Sequence, residues 1–513
     1  MWLVLAPLLA TLHFTGAVPV AGGDYADVTF EVPAGTQEIR IAHDDGSAFD
    51  ILDWGVWSPD GFRGWGGGLT DDAVIGVAQS SRGYLPGPIT PGTWTLVIGK
   101  AKLGSAGGNY TVDVTLSDTQ TLPVLDKAPF APVVVAPTRT WYRGDFHVHS
   151  NESGDASATF DEIVALAKQR GLDFVNLSDH NTVSQHAREA AYMIAHPDFL
   201  LLRGAEITTY AGHGNAVGIS AYVDHRIGYQ GRTIGGVLDD VLAQHAVFIV
   251  NHPKLDLGNA CIGCAWKHAD TDWTKVAGIE VITGNWDISV NSFVPQAIAM
   301  WDGVLDQGAR IAAIGGSDDH TAGHSTGPTD SAVGSPTTRV LADNLSEAAI
   351  VDAIRHGRTM VQMRGPGDPI VDVTMQTQAG TQAEIGDQVD GIARVKLAVR
   401  VTGGDGMIAQ VWRNGAKLDG QQKVAGADVM LAFEDAPGAG AFRYRVELID
   451  DTNHRIVVTS HFYVTAIAEA PAPDAGAGPG DHQSGCGCGT HRGGFAGGVA
   501  PLLALLLVRR RRR

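Results

Sequence analysis

Trp141-Tyr142-Arg143-Gly144-Asp145-Phe146-His147-Val148-His149-Ser150 is the stretch that decides how the rest of the chain is read. Phe146 and Val148 are strand formers that alternate with His147 and His149, so on a β-strand both imidazoles leave one face. Two nitrogen ligands then converge on one point. A second pair with the same two-residue period stands far downstream, where Ile311-Ala312-Ala313-Ile314 and the turn Gly315-Gly316-Ser317 lead into Asp318-Asp319-His320. Two such strand ends, with residues supplied between them, would close around one metal cluster.

Between these runs, from Trp141 to about Gly365, strand-like apolar segments alternate with helix-length ones, the pattern of an α/β layered or barrel fold. Strands are expected at Phe174–Leu177, Leu200–Leu202, Val247–Val250, Ile279–Ile282 and Ile311–Ile314, and helices at Val183–Ile194, Ile234–Gln244, Pro295–Gln307 and Ser346–His356. The first helix is marked by Thr159-Phe160-Asp161-Glu162, which has the form of a capping box, and Gly171 ends it. Almost every strand candidate ends in a ligand type: His147 and His149, then Asp155, His180 after Asp179, Glu206, His213, His252, and finally Asp318 and His320. In α/β barrels catalytic groups sit at strand carboxyl ends, so this distribution fits a single site.

Each element alone says little, since a His-x-His pair is more often surface or core than ligand. His186, His196, His225, His245 and His356 fall on expected helices or loops and read as structural. Repetition at strand ends is the signal.

Taken together, Asp145–Ser150, Phe174–Asn181, Gly204-Ala205-Glu206-Ile207, Asn251-His252-Pro253 and Gly316–His320 resemble, in order, the blocks of the PHP (polymerase and histidinol phosphatase) metal-dependent hydrolases. Asn251-His252-Pro253 followed by Ile279-Glu280-Val281-Ile282-Thr283-Gly284 is most similar to the carbaryl-hydrolase-type group within them. The resemblance implies a central distorted (β/α)7 TIM-like barrel. It also implies two or three divalent ions, with His147, His149, Glu206 and Asp318 on one, Glu206 bridging to a second held by His213 and His252, and Asp155, His180 and His320 on a third. Two departures leave alternatives open. Ser153-Gly154-Asp155 is one residue longer than the usual motif and places Asp155 beside Glu152, and Asn215 competes with His213 for its position.

Imidazole and carboxylate donors suit zinc, manganese or iron. Two such ions about 4 Å apart share a water, lower its pKa and make a nucleophile of it, while stabilising charge on the attacked oxygen. Glu206 and Lys254 are the candidate catalytic residues, Lys254 as a contact for a substrate anion. Arg143 and Arg203 are the other cations near strand ends.

The flanks differ in grain. From Asp24 to Asp118 short alternating runs such as Val28, Phe30, Val32 predict an accessory β-sandwich, whose Trp54, Trp57 and Trp65 either stack on a glycan or fill its core. Residues 119–140 read as a linker, 369–465 as a second β-sandwich, and 466–485 as a disordered tether. The expected architecture is therefore multidomain, the barrel of 141–365 between two all-β sandwiches, consistent with 513 residues.

Met1 to about Ala21, apolar and then small, resembles a secretory signal peptide. Cys486-Gly487-Cys488-Gly489, the apolar run Phe495–Val508 and Arg509–Arg513 resemble the MYXO-CTERM sorting tail of myxobacterial surface proteins. Export to the cell surface, outer membrane or extracellular space is expected, with membrane contact through the tail before processing. Cys261-Ile262-Gly263-Cys264 then reads as a disulfide, or as a metal site shared with His268. A formal charge of −19 argues against nucleic-acid binding. Three readings stand: a phosphoesterase, a carboxylic or carbamate ester hydrolase of the same fold, and a non-catalytic glycan-binding or adhesin protein.

Overall fold

The structure is a computed structural model that describes residues 8–258, 261–325, 327 and 330–469. The sorting-tail motif and residues 470–485 of the tether lie outside the described residues. Among the described residues no helix is long and apolar enough to cross a membrane.

Eight strands build the first β-domain. β1 (Leu8–Val18), β3 (Glu38–Asp44), β6 (Ala73–Gly76) and β8 (Gly108–Ser117) form one antiparallel sheet, ordered β1-β8-β3-β6. β2 (Tyr25–Val32), β4 (Ile51–Ser58), β5 (Gly61–Gly67) and β7 (Gly92–Lys102) form the other, ordered β2-β7-β4-β5. Their inward rows, Val28, Phe30, Val32 against Ile39, Ile41 and Val114, make the core. Leu8–Val18 falls in the stretch read above as an export leader. Here it pairs with β8 along its length, because Ala10, Leu12 and Phe14 alternate with exposed Thr11, His13 and Thr15 and so supply one apolar face.

The middle segment runs β9 (Thr140–Val148), α1 (Phe160–Gln169), β10 (Phe174–Leu177), α2 (His186–Ala195), β11 (Leu200–Thr209), β12 (Gly212–Val217), α3 (Ile234–Ala243) and β13 (Val247–Val250). It continues with β14 (Gly278–Thr283), α4 (Trp286–Ser289), α5 (Phe293–Leu305), β15 (Ala312–Gly316), β16 (Thr337–Ala342), α6 (Glu347–Arg355) and β17 (Thr359–Gln362). The strands lie in the order β15-β14-β13-β12-β11-β10-β9-β16-β17. Most neighbours from β9 to β15 are parallel, but β12 is antiparallel to both β11 and β13. The two ends of that row meet: the Asp318 N–H donates to His147 O at 2.8 Å, and the His149 N–H to Asp319 O at 2.9 Å. Nearly every strand residue is buried on both faces, which is why these strands read as continuous apolar runs rather than alternations. α1 begins as its sequence signals, with the Thr159 hydroxyl accepting from the Glu162 N–H and the Glu162 carboxylate accepting from the Thr159 N–H.

The second β-domain is a sandwich whose four-stranded sheet, Ile370–Gln376, Gln382–Glu384, Val395–Thr402 and Asp428–Asp435, packs on a second sheet through Val373, Leu397, Val399 and Val446. That second sheet is continuous with the middle segment, since Arg455–Thr459 pairs antiparallel with β17. Residues 119–139 carry no helix or longer strand, and Phe130 packs under the Arg203 guanidinium.

Candidate metal centre

His147 and His149 leave the same face of β9, fully buried, with ring centroids 5.2 Å apart. The ends of β10, β11, β12, β13 and β15 bring the other ligand types to them. Glu206 on β11 is the hub. Its Oε1 lies 3.3 Å from His147 Nε2, 3.3 Å from His252 Nε2 and 3.5 Å from His213 Nδ1, and its Oε2 lies 2.9 Å from His180 Nδ1 and 3.7 Å from His149 Nε2. Asp318 Oδ1 sits 3.2 Å from both His147 Nε2 and His149 Nε2. Asp155 Oδ2 lies 3.3 Å from His180 Nε2 and 3.4 Å from His320 Nε2. All nine side chains singled out as ligands in the sequence thus face one volume. Seven of them fall into groups whose donor atoms lie within 4.8 Å of one another: His147, His149, Asp318; His147, Glu206, His252; and His149, His180, His320.

The donor set fits divalent cations. His149 Nε2 and Glu206 Oε2 are buried and complete no hydrogen bond among the described residues, although groups of opposite sign surround them. Atoms that converge without bonding one another are placed for a shared third body. Burial pushes the His149 imidazole down to about 3, helped by His320 and His180, so it is a neutral nitrogen donor. Burial alone would raise the Glu206 and Asp318 carboxyls, yet the adjacent imidazoles, His147 foremost, hold both well below the usual carboxylate range. Backbone strain collects here as well: His252 (φ +25°) and Asp318 (φ +58°) are non-glycine residues in the left-handed region.

A surrounding layer fixes which ring nitrogen each histidine presents. Glu280, buried mid-strand on β14, takes His147 Nδ1 at 3.0 Å and the His252 N–H at 2.7 Å. The Asn251 amide donates to Glu206 Oε1 at 2.8 Å. His213 Nε2 faces Ile262 O at 3.0 Å, and His252 Nδ1 faces Cys264 O at 3.2 Å. Such partners orient ligands and raise their basicity. The sequence by itself assigns no role to Glu280 or Asn251; a carboxylate inside the apolar run Ile279-Glu280-Val281-Ile282 is the one signal it offers.

Both open alternatives take a definite form. His213, not Asn215, reaches Glu206, because Asn215 turns to donate to Phe146 O at 2.8 Å. Asp155, not Glu152, meets His180 and His320, while Glu152 pairs with Arg188 and accepts from the Ser184 hydroxyl at 2.8 Å and the Gly83 N–H at 3.2 Å. Lys254 is exposed and is not among the described residues lining the cavity over the cluster. Arg203 is engaged by Glu347 at 2.6 Å and Arg143 by Asp173 at 3.3 Å, so neither points a free charge at the site. Cys261 and Cys264 form a disulfide, and His268 bonds to Thr209 Oγ1 at 2.9 Å instead of joining a metal site with them.

The cavity over the cluster holds about 810 Å³, and the first β-domain supplies much of its wall through Ile51, Asp53, Trp65, Leu69 and Arg82. Tyr210 ties the two together by donating to Asp53 Oδ2 at 2.7 Å. Trp65 meets His225 edge-on at 4.4 Å between centroids, and Phe62 stacks on Tyr222 at 3.5 Å. Trp54 and Trp65 are buried and Trp57 lies under the Arg226 guanidinium. His225, read from the sequence as structural, also lines the cavity.

No protein-family model and no curated protein matches the chain. Among solved structures, a two-domain protein containing a predicted PHP-like metal-dependent phosphoesterase from Bacteroides vulgatus is 19% identical, the match covering 66% of this chain and 99% of that one at a TM-score of 0.35. A candidate metal-dependent phosphoesterase from Bifidobacterium adolescentis is 17% identical, the match covering 37% of this chain and 92% of that one at a TM-score of 0.26. The CARDB domain of a Pyrococcus furiosus protein is 18% identical, covering 20% of this chain and 98% of that domain at a TM-score of 0.14.

Proposed function

We propose that the chain is a metal-dependent hydrolase of small esters, with phosphoesters as the first substrate class. The observation that carries this reading is the convergence of five imidazoles on the two oxygens of buried Glu206, with Asp318, His320 and Asp155 beside them and with His149 Nε2 and Glu206 Oε2 left without hydrogen bonds among the described residues. In this reading His147, His149, Glu206 and Asp318 hold one ion, Glu206, His213 and His252 a second, and Asp155, His180 and His320 a third, in a distorted barrel closed between β15 and β9. Zinc, manganese or iron bound there would activate water and offset charge on the attacked oxygen. The chain's own residues do the rest: Glu280 and Asn251 hold His147 and Glu206 in place, and the walls bound a substrate space of about 810 Å³.

A second reading, a carboxylic or carbamate ester hydrolase, is favoured by the wall itself. Among the described lining residues Arg82 is the sole lysine or arginine, and it is engaged by Asp71 at 2.9 Å. A polyanionic phosphate would find little else to neutralise it. The glycan-binding reading draws no support from Trp54 and Trp65, which are buried. Export to the cell surface or beyond remains part of the proposal, supported by the Cys261–Cys264 disulfide, which suits an oxidising compartment.

Elemental analysis of the purified full chain, paired with hydrolysis of p-nitrophenyl phosphodiester and carboxylic ester substrates, tests the reading. Two or three equivalents of metal and activity on one ester class are expected. Bound metal with neither activity would return the protein to the binding class, and no bound metal would remove the site.

A further inference from the structure

His213 and His252 reach Glu206 with different ring nitrogens, Nδ1 in one and Nε2 in the other. Which nitrogen each presents is set by the partner of the opposite one, and both partners are backbone carbonyls of the same four-residue loop, Ile262 O and Cys264 O. That loop belongs to no helix or strand. It is anchored by three features. Gly263 (φ +78°) is pressed so closely on the turn after β11 that an added Cβ would stand 2.3 Å from Thr209 O. The Trp266 and Lys267 N–H groups bond to Pro253 O and Ala211 O at 3.0 and 2.7 Å. The third is the Cys261–Cys264 disulfide, which closes a ring that includes the Ile262 carbonyl carbon and bears the Cys264 carbonyl on its last Cα, with Cys264 buried.

We infer that the Cys261–Cys264 disulfide is a positioning device for the metal centre: by fixing the Ile262 and Cys264 carbonyls it holds His213 and His252 in the tautomers that bind one of the ions. This rests on the metal reading above. With the link open, the loop gains conformations in which neither carbonyl faces its imidazole, and both rings are free to rotate or to carry their proton on the nitrogen the ion needs. The side chains assigned to the other two ions, His147, His149 and Asp318 on one and Asp155, His180 and His320 on the other, have no hydrogen bond to this loop among the described residues, so those ions should be indifferent to it.

The test measures zinc affinity and stoichiometry on the full chain, by competition with a chromophoric chelator, in three forms: the oxidised protein, the protein reduced by a phosphine, and Cys261→Ser/Cys264→Ser. In the reduction the S–S bond breaks, the phosphine supplies two electrons and becomes its oxide with oxygen from water, and the two protons of that water end on the thiols. His252→Ala marks the loss of the ion in question. One equivalent is expected to bind 10- to 100-fold more weakly in both the reduced and the Ser/Ser forms, the range typical of lost partners around a metal's ligands, with the remaining equivalents unchanged. An unfolding midpoint measured in chelator separates a local effect from misfolding of the variant, and the reduced wild type needs no substitution. Unchanged affinity overturns the inference. So does tighter binding on reduction, which would make the Cys264 thiol, within 4.8 Å of the His213 and His252 donors, a ligand in its own right. If the oxidised protein binds no zinc, it is the metal reading that fails.

Discussion

Glu206 is the residue on which the centre turns, since five histidines face its two oxygens. Glu206→Gln keeps the shape and removes the charge, so metal content should fall by at least one equivalent and ester hydrolysis by more than about a hundredfold, beyond the effect of losing a supporting partner. Glu280→Gln is the complementary case. It leaves every donor in place but weakens the hold on His147 Nδ1, so metal affinity should drop about 10- to 100-fold while saturating metal restores stoichiometry. Titration of both variants with zinc or manganese, followed by elemental analysis, checks the pair. The strained backbone at His252 and Asp318 belongs with these residues, because its cost is borne where a side chain must be aimed.

At the scale of elements, β9 carries the site because period-two alternation aims His147 and His149 to one face, and the turn after β15, bonded to β9 through Asp318 N–H and Asp319 O, brings Asp318 and His320 to that face. The helices outside mainly supply stability. Thr159→Ala removes the cap of α1 and should lower stability by about 1 kcal/mol in urea unfolding, with activity unchanged. β12 shows where element-level reading stops. Gly212–Val217 is absent from the strands expected from the sequence, yet its glycines allow close packing: a Cβ at Gly214 would lie 2.3 Å from Phe248, and the segment is a buried antiparallel strand.

At the scale of the whole molecule, the first β-domain is a wall of the cavity and not a detachable accessory. Trp65→Ala should therefore alter KM on bulky esters several-fold more than kcat, and Asp53→Asn should do the same through Tyr210; steady-state kinetics on a small and a large ester checks both. The docking is also sensitive to pH. Burial against this wall pushes the His225 imidazole down to about 3 from an ordinary 6.5. Below 6.5 the unfolded chain takes up a proton that the folded one refuses, so His225 contributes stability fully present above pH 6.5 and lost as pH falls toward 3. Between pH 6.5 and 5 that loss is about 2 kcal/mol. Urea unfolding of chelated wild type and His225→Gln at pH 7.5 and 5 isolates it, the wild type losing that much more than the variant.

The ligand types, their strand-end placement and the capping box of α1 were legible in the chain because each is written in local spacing: a two-residue period, a four-residue box, an apolar run closed by a turn. The choice of His213 over Asn215 and of Asp155 over Glu152 was not, because it depends on which neighbouring strand each side chain meets. Nor were the buried Glu280, the wall built by Asp53 and Trp65, the sheet shared with the second β-domain, or the two loop carbonyls behind His213 and His252. All of these are contacts between segments distant in sequence, fixed by complementary surfaces that exist only once each segment has folded.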